Sequence, residues 1–274
     1  MRILDTHLHL VYQDRLTYPW LAGDEALDKQ WTLDAYRAEA EPLGIVGALH
    51  MEVDVAEADI PAEAPFMLSL SPFIRGAIAA ARPENEGFSA YLDTLPEGVR
   101  GLRRILHVVD DELSTTPLFR ENIRHLAARN LNFDICMRAD QLELAAALAD
   151  SAPDVTFILD HCGVPDVAAG ALEPWRSRIV ELARRPNVNA KISGIVAYAK
   201  PDWTVPDLAA FAEPVIEAFG WDRVVWGSDH PVCTKTANLT RWVEASRQIV
   251  SGASEDEQAR LFYRNAERIY RVTA

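Results

Sequence analysis

The first ten residues, MRILDTHLHL, combine one carboxylate with two closely spaced imidazoles. Asp5, His7 and His9 occupy alternate positions at the end of a short apolar run. Because successive side chains of a β-strand point to opposite faces, these three are expected to project from one face. Two imidazoles this close together suit a divalent ion or a charged reaction centre. Paired histidines also occur as ordinary hydrogen-bonded core groups, so the rest of the chain must decide between the two interpretations.

Histidines and carboxylates recur at the ends of other apolar runs. Asp160 lies at the end of FILDHCG and Asp229 at the end of VVWGSDHP, each directly before a histidine. A further run carries His50, Glu52 and Asp54 at positions of one parity. Five of the seven histidines lie at or near such ends, namely His7, His9, His107, His161 and His230. Core histidines scattered at random would not concentrate in this way, which favours a reaction centre.

Candidate substrate-binding side chains lie in two further segments. In GLRRILH, strand parity puts Arg103 and His107 on one face and Arg104 on the other. Arginine suits bidentate recognition of a carboxylate, so Arg103 or Arg104, together with His107, is predicted to bind substrate hydroxyls or a carboxylate. Tyr18 and Trp20 lie in YPWL, in the long loop after the first run, and are predicted to wall the pocket.

The sequence contains eight apolar, β-branched runs, and most of them are followed by a helical pattern. Strands that alternate with helices predict parallel βαβ units. Helix starts are predicted at Thr116-Pro117, Pro174, Pro206 and Ser254. The predicted strands span residues 2–9, 45–53, 73–80, 99–107, 131–137, 155–161, 188–193 and 223–229.

A closed barrel is favoured over an open doubly wound sheet. The Gly-x-Gly-x-x-Gly loop that usually follows the first strand of the open architecture is absent. The chain also has no low-complexity linker, so residues 1–274 are predicted to form a single α/β domain, a (β/α)8 TIM barrel. In such barrels the active site lies at the carboxyl ends of the strands, where the histidines and carboxylates occur.

Composition narrows the classes of partner and compartment. The 274 residues are 49% hydrophobic and 25% charged, as in an ordinary globular protein. A formal net charge of −14 argues against nucleic acid and anionic membranes as partners. No apolar run approaches membrane-spanning length, and no signal peptide is evident. Three widely spaced cysteines without a Cys-x-x-Cys motif fit a reducing cytoplasm, so a cytoplasmic location is expected.

Four motifs together resemble the amidohydrolase superfamily. They are DTHLHL at the start, LDHCGVPD in the sixth predicted strand, VVWGSDHPV in the eighth and RNAERIYRV near the end. The YPWL segment and the GLR of the fourth strand are similar to the amidohydrolase-related branch that contains sugar-acid and dicarboxylate lactonases. The resemblance extends from the first residues to the last predicted helix and implies a (β/α)8 barrel.

The resemblance implies roles for four residues. His7 and His9 match the first-strand pair, His161 the sixth-strand histidine and Asp229 the eighth-strand aspartate. In metal-dependent members, the first-strand histidines and the aspartate hold a divalent ion with a ligand on the fifth strand. The fifth strand here, LNFDICMRAD, contains neither histidine nor lysine. One Zn²⁺ or Mn²⁺ held by His7, His9 and Asp229 therefore stays open, and metal-independent activity is favoured.

The expected activity is hydrolysis of a small sugar-acid lactone, such as a fucono-, rhamnono- or galactono-lactone. Asp229 would act as general acid and base, while His7, His9 and His161 would supply donors or hold a metal. The alternatives are a lactone isomerase, a metal-dependent decarboxylase of the same superfamily, and an inactive barrel that binds sugar acids. A small molecule is the expected partner, and apolar outer helix faces are compatible with a homo-oligomer.

Overall fold

The computed structural model describes residues 1–273, which contain eight parallel strands in the sheet order β1 to β8. Each strand pairs with the next one along the chain, and a bridge between Leu8 and His230 joins the last strand to the first. The predicted (β/α)8 barrel is confirmed. The strands are β1 (Ile3–Leu8), β2 (Ile45–Met51), β3 (Ile74–Ala80), β4 (Val99–Ile105), β5 (Asn132–Cys136), β6 (Phe157–Leu159), β7 (Val188–Ile192) and β8 (Val224–Trp226).

Helices surround the barrel, and local sequence signals mark several of their starts. Thr116 caps α4 with its side chain, and Ser254 with Glu257 forms a capping box before α9. The helices are α1 (Leu33–Ala40), α2 (Ile60–Ser69), α3 (Phe88–Leu92), α4 (Pro117–Ala128), α5 (Leu142–Ser151), α6 (Trp175–Ala183), α7 (Val205–Phe219), α8 (Leu239–Ile249), α9 (Glu255–Ala259) and α10 (Asn265–Tyr270). A π-helical turn, Arg260–Arg264, joins α9 to α10.

The core has two layers, as barrel geometry requires. The inner layer fills the barrel with side chains from alternate positions of several strands, and α10 packs against it. The outer layer lies between the strands and the helices and contains most of the buried apolar side chains. The inner layer consists of Leu4, Leu49, Met51, Ile78, Ile158 and Val225, with Ala266, Ile269, Tyr270 and Val272.

Several strands end earlier than the sequence predicts, and this determines where the functional side chains lie. β1, β4, β6 and β8 end one to three residues before His9, His107, His161 and Asp229, so those four residues lie in the loops that follow. The loops form one rim of the barrel, at the carboxyl ends of the strands. Within residues 1–273, no helix is both long and apolar enough to span a bilayer.

Candidate active site

A β-bulge at the end of β1 aims two histidines into the mouth of the barrel. Asp5 pairs with Ala48 and Leu8 with His50, so three steps along β1 match two steps along β2. Asp5 therefore faces outwards and accepts a 2.5 Å hydrogen bond from the Tyr36 hydroxyl of α1. The prediction that Asp5 shares a face with His7 and His9 is wrong, because the extra residue reverses the alternation.

His7, His9 and Asp229 bring three ligand atoms together. The Nε2 atoms of His7 and His9 lie 3.2 Å apart. Oδ1 of Asp229 lies 3.7 Å from Nε2 of His7 and 3.6 Å from Nε2 of His9. His7 is fully buried beneath the cavity, whereas His9 and Asp229 line it. The structure thus brings the three predicted metal ligands together, with His7 buried below the cavity surface.

Asp229 and His161 both reach the site through left-handed backbone. Their φ angles are 55° and 53°, a conformation that non-glycine residues rarely adopt and that recurs at functional sites. Oδ2 of Asp229 lies 4.0 Å from Nδ1 of His161, which also contacts the Ser193 hydroxyl at 3.0 Å. Gly194 makes this approach feasible, because a Cβ there would overlap the His161 ring.

The environment of Asp229 favours proton transfer near neutral pH. Burial raises the pKa of this carboxyl to about 6, although the charges of His161 and Arg103 oppose the shift. Burial also lowers the pKa of His161 and lowers that of His9 to about 3, so both rings are neutral at physiological pH. A carboxyl with this pKa can both accept and return a proton at neutral pH.

Arg103 brings a fixed positive charge to the floor of the cavity. Its Nε donates to Oε1 of Glu52 at 2.6 Å, and its Nη2 donates to the Glu52 carbonyl at 2.8 Å. The Nη1 atom lies 3.5 Å from Nε2 of His7 and 3.6 Å from Oδ2 of Asp160. Two strong bonds to Glu52 leave Nη1 as the atom nearest to the reaction centre.

Lys191 of β7 lies beneath His7 and is fully buried. Its ammonium group contacts Asp134 Oδ2 at 2.6 Å, Asp160 Oδ1 at 2.9 Å and His7 Nδ1 at 3.1 Å. Lys191 donates hydrogen bonds to Asp134 and His7, and its contact with Asp160 is an ion pair. Sequence reasoning missed Lys191, although a lysine inside the apolar run VNAKI is itself a signal of a buried ion pair.

These contacts fix the direction of a chain of hydrogen bonds. Nδ1 of His9 lies 3.1 Å from the Met51 carbonyl, which can only accept, so His9 donates from Nδ1 and offers a lone pair at Nε2. His7 must then donate from its own Nε2 to His9. Its Nδ1 is left as the acceptor for Lys191, which matches the ammonium beneath it.

A divalent ion fits the same three ligands after one proton moves. Tetrahedral zinc with bonds of about 2.0–2.2 Å separates its ligands by roughly 3.3–3.6 Å, close to the spacings of His7, His9 and Asp229. Ligation would require the lone pair of His7 Nε2, so the proton would then reside on Nδ1 and Lys191 would no longer donate to that atom. Oδ1 of Asp160, 3.4 Å from Nδ1, is placed to accept it.

His107 and Cys136 form another wall of the cavity. Nδ1 of His107 lies 3.2 Å from Sγ of Cys136, and both residues line the cavity. Burial raises the pKa of the Cys136 thiol, so this sulfur is a weak donor to His107 and not a thiolate. Tyr198, which sequence reasoning did not single out, also lines the cavity; it follows β7 in a short 3-10 turn.

The structure does not bring every predicted residue to the cavity. Arg104 points away from it and pairs with Glu84 at 2.9 Å, as its opposite parity to Arg103 requires. The Tyr18 side chain is buried in its loop, where its hydroxyl accepts from the Tyr12 backbone N–H. Trp20 does line the cavity, with its Nε1 donating to the Val53 carbonyl at 2.7 Å.

His50 is also placed differently from the sequence expectation. Its Nε2 lies 3.2 Å from Oε1 of Glu63 on α2, outside the barrel. Glu52 instead reaches Arg103, and Asp54 lines the cavity at its rim. The chain leaves β2 between His50 and Glu52, so the strand alternation that grouped the three residues no longer applies.

Comparison with known proteins shows which family the chain belongs to. The amidohydrolase family model matches residues 4–272. An L-fucono-1,5-lactonase of Burkholderia multivorans is 27% identical over 97% of this chain and 95% of its own length. A second L-fucono-1,5-lactonase, from Burkholderia ambifaria, is 31% identical over 63% of this chain and 61% of its own length.

A solved structure extends the similarity to the whole fold. An amidohydrolase from Burkholderia multivorans, crystallised with bound zinc, superimposes with a TM-score of 0.91 at 23% identity, and each chain is covered completely.

Proposed function

The chain belongs to the amidohydrolase family, and from that membership and the site geometry we propose that it hydrolyses a small sugar-acid lactone. The observation that carries the proposal is Asp229, a buried carboxyl with a pKa of about 6 that faces the cavity beside His9 and His161. A lactone is a cyclic ester, so a single carboxyl that first accepts and then returns a proton can serve both halves of its hydrolysis.

In the first half of the reaction, water attacks the ring carbonyl. Asp229 takes a proton from the water as the new C–O bond forms, and negative charge develops on the former carbonyl oxygen. Arg103 Nη1 and the neutral ring of His161 are the groups near that oxygen that can stabilise it, whereas His9 presents the lone pair of Nε2 and has no free N–H to donate. In the second half, the bond to the ring oxygen breaks, and Asp229 returns the proton to the departing alkoxide.

A divalent ion, where bound, would be held by His7, His9 and Asp229 and would polarise the ring carbonyl as a Lewis acid. The protein groups keep their tasks in either case. Trp20 and Tyr198 enclose the substrate, His107 contacts its hydroxyls, and Glu52 orients Arg103. The cavity measures about 240 Å³, just below the roughly 300–1,000 Å³ of typical small-molecule pockets, which suits a single-ring substrate.

The test is proton release from a panel of lactones, because the product acid ionises at neutral pH. The panel contains fucono-, rhamnono- and galactono-lactones, each assayed before and after chelation. Activity that survives chelation supports catalysis by the protein groups alone, whereas activity restored by Zn²⁺ or Mn²⁺ assigns His7, His9 and Asp229 as ligands. Absence of proton release from every lactone would reject hydrolysis and direct attention to isomerase or decarboxylase substrates.

Replacing Asp229 by asparagine tests the assigned acid and base. Asn keeps the size of the side chain but cannot exchange a proton, so turnover should fall by on the order of 10²–10⁴. Asp202→Asn, at an exposed loop position, is the matched control and should retain full turnover. Near-normal turnover of a correctly folded Asp229→Asn protein would remove this carboxyl from the mechanism.

A further inference from the structure

Apolar side chains dominate the cavity wall above the polar floor. The groups that can act on a lactone carbonyl, including Arg103, His161 and Asp229, lie together at the bottom. The rest of the lining is mainly apolar, and its hydrogen-bonding side chains are Asp54, His107 and Tyr198. The apolar side chains include Val11, Val53, Ile105, Val108, Val232 and Trp20. A polyhydroxylated ring would leave many of its hydroxyls against this wall without a partner, which costs free energy.

Two exposed apolar side chains extend this wall to the surface. Within residues 1–273, four large hydrophobic side chains are exposed, and two of them, Val108 at 65% and Trp20 at 41%, line this cavity. They come from different loops, after β4 and after β1 respectively. Single exposed apolar residues are common, but two that converge on one cavity indicate contact with an apolar ligand surface.

The charges around the cavity argue against a substrate with a free carboxylate. Among the residues described, Arg103 is the one lysine or arginine that lines the cavity, and Glu52 already holds it at 2.6 Å. Two carboxyl groups, Asp54 and Asp229, line the same cavity. Arg82, 3.9 Å from Asp54, offsets part of that charge, but the buried Asp229 carboxylate would still repel a carboxylate on the substrate, so a second acid group is disfavoured.

We propose that the preferred substrate is a neutral lactone with a hydrocarbon substituent on the ring, which lies against the Trp20 and Val108 wall. This inference rests on the proposed lactone hydrolysis and narrows its substrate class from sugar-acid lactones in general to lactones with few hydroxyl groups. The lactone carbonyl lies over Asp229, and any hydroxyl groups lie on the side of the ring that faces His107 and Arg103. The hydrocarbon arm points to the cavity mouth, where it displaces water from the two exposed side chains.

The experiment uses a series of six-membered lactones that differ only in the group on the carbon bearing the ring oxygen. That group is hydrogen, methyl, propyl or pentyl, and galactonolactone and a dicarboxylate lactone complete the panel. We expect kcat/KM to rise by up to about fourfold for each methylene that becomes buried, and to level off where the chain leaves the cavity. The dicarboxylate lactone should be the poorest substrate.

The outcomes separate the two proposals. Constant or falling kcat/KM along the alkyl series, with galactonolactone opened faster, would reject the hydrocarbon substituent and leave lactone hydrolysis standing. Rapid opening of the dicarboxylate lactone would reject the neutral class. If no lactone in the panel is opened, lactone hydrolysis itself is rejected.

A matched pair of surface variants tests whether the hydrocarbon substituent contacts the cavity mouth. Val108→Ser removes apolar surface at the cavity mouth, whereas Val180→Ser makes the same change on α6, where 47% of the side chain is exposed. Val108→Ser should lower kcat/KM several-fold more for the pentyl lactone than for the unsubstituted lactone. Val180→Ser should alter neither value. Equal effects of Val108→Ser on both lactones would contradict contact with the hydrocarbon arm.

Discussion

The Asp229 carboxyl illustrates how a functional side chain can lower stability. Burial raises its pKa from an ordinary value near 3.8 to about 6, so the folded protein prefers the protonated form. The unfolded chain loses this proton near pH 4, whereas the folded chain retains it until about pH 6. The contribution of Asp229 to the free energy of unfolding is therefore most favourable below about pH 4, and it becomes unfavourable as the pH rises from about 4 to 6.

Asp229→Asn should accordingly stabilise the fold at neutral pH although it lowers turnover. A neutral amide avoids the buried charge, and the pKa shift converts to a gain of roughly 1–3 kcal/mol above pH 6. Urea unfolding of both proteins at pH 4, 5, 6 and 7 measures the difference, which should be small at pH 4 and constant above pH 6. Equal stability of the two proteins at pH 7 would contradict a buried, destabilised carboxylate.

At the scale of elements, Asp5 connects the bulge of β1 to the end of β8. Its Oδ1 accepts from the backbone N–H of His7 at 3.0 Å and from that of Ser228 at 2.8 Å. Its other oxygen accepts from Tyr36 of α1. One carboxyl thus holds the two segments that present His7 and Asp229, although it contacts no substrate.

Asp5→Ala should therefore weaken both the fold and the site. Two buried backbone N–H groups would lose their acceptor, at about 1–3 kcal/mol each, measured by urea unfolding. Asp5→Asn keeps one amide oxygen as an acceptor and should recover part of the loss. Asp154→Ala, at an exposed loop position, is the control and should change stability by less than about 0.5 kcal/mol. A loss of stability no larger than that of Asp154→Ala would show that the hydrogen bonds of Asp5 are not needed to hold the bulge.

The sequence predicted elements well and their ends less well. Alternating apolar patterns located all eight strands, because burial against the helices and inside the barrel imposes those patterns. The bulge after Asp5 and the left-handed backbone at His161 and Asp229 have no glycine to signal them. Parity placed Arg103 and Arg104 on opposite faces, but only the closed barrel determines that Arg103 is the inner one.

At the scale of the whole molecule, one buried lysine joins the active site to the opposite end of the barrel. Lys191 contacts His7 above it and Asp134 beside it, and Asp134 accepts a hydrogen bond of 3.3 Å from Tyr270 of α10. Lys191 lies between two buried carboxylates, Asp134 and Asp160, and is the nearer of the two cations at Asp160, where Arg103 Nη1 lies at 3.6 Å. Lys191 and Asp134 therefore link the barrel interior, the floor of the candidate site and α10 through direct contacts.

Lys191→Met should destabilise the protein by about 3–5 kcal/mol, because removal of one partner leaves buried charge uncompensated. Urea unfolding measures the loss, and Lys200→Met, at an exposed position, should cost less than about 0.5 kcal/mol.

Nitrogen-15 NMR of the histidines adds a readout that a purely structural role would not affect. In the metal-free wild type, His7 should carry its proton on Nε2, because Lys191 donates to Nδ1. In Lys191→Met the Nδ1 atom loses its donor, and the proton should move towards Nδ1 and the nearby Asp160. An unchanged His7 tautomer in a folded Lys191→Met protein would show that His9 alone determines where the proton resides.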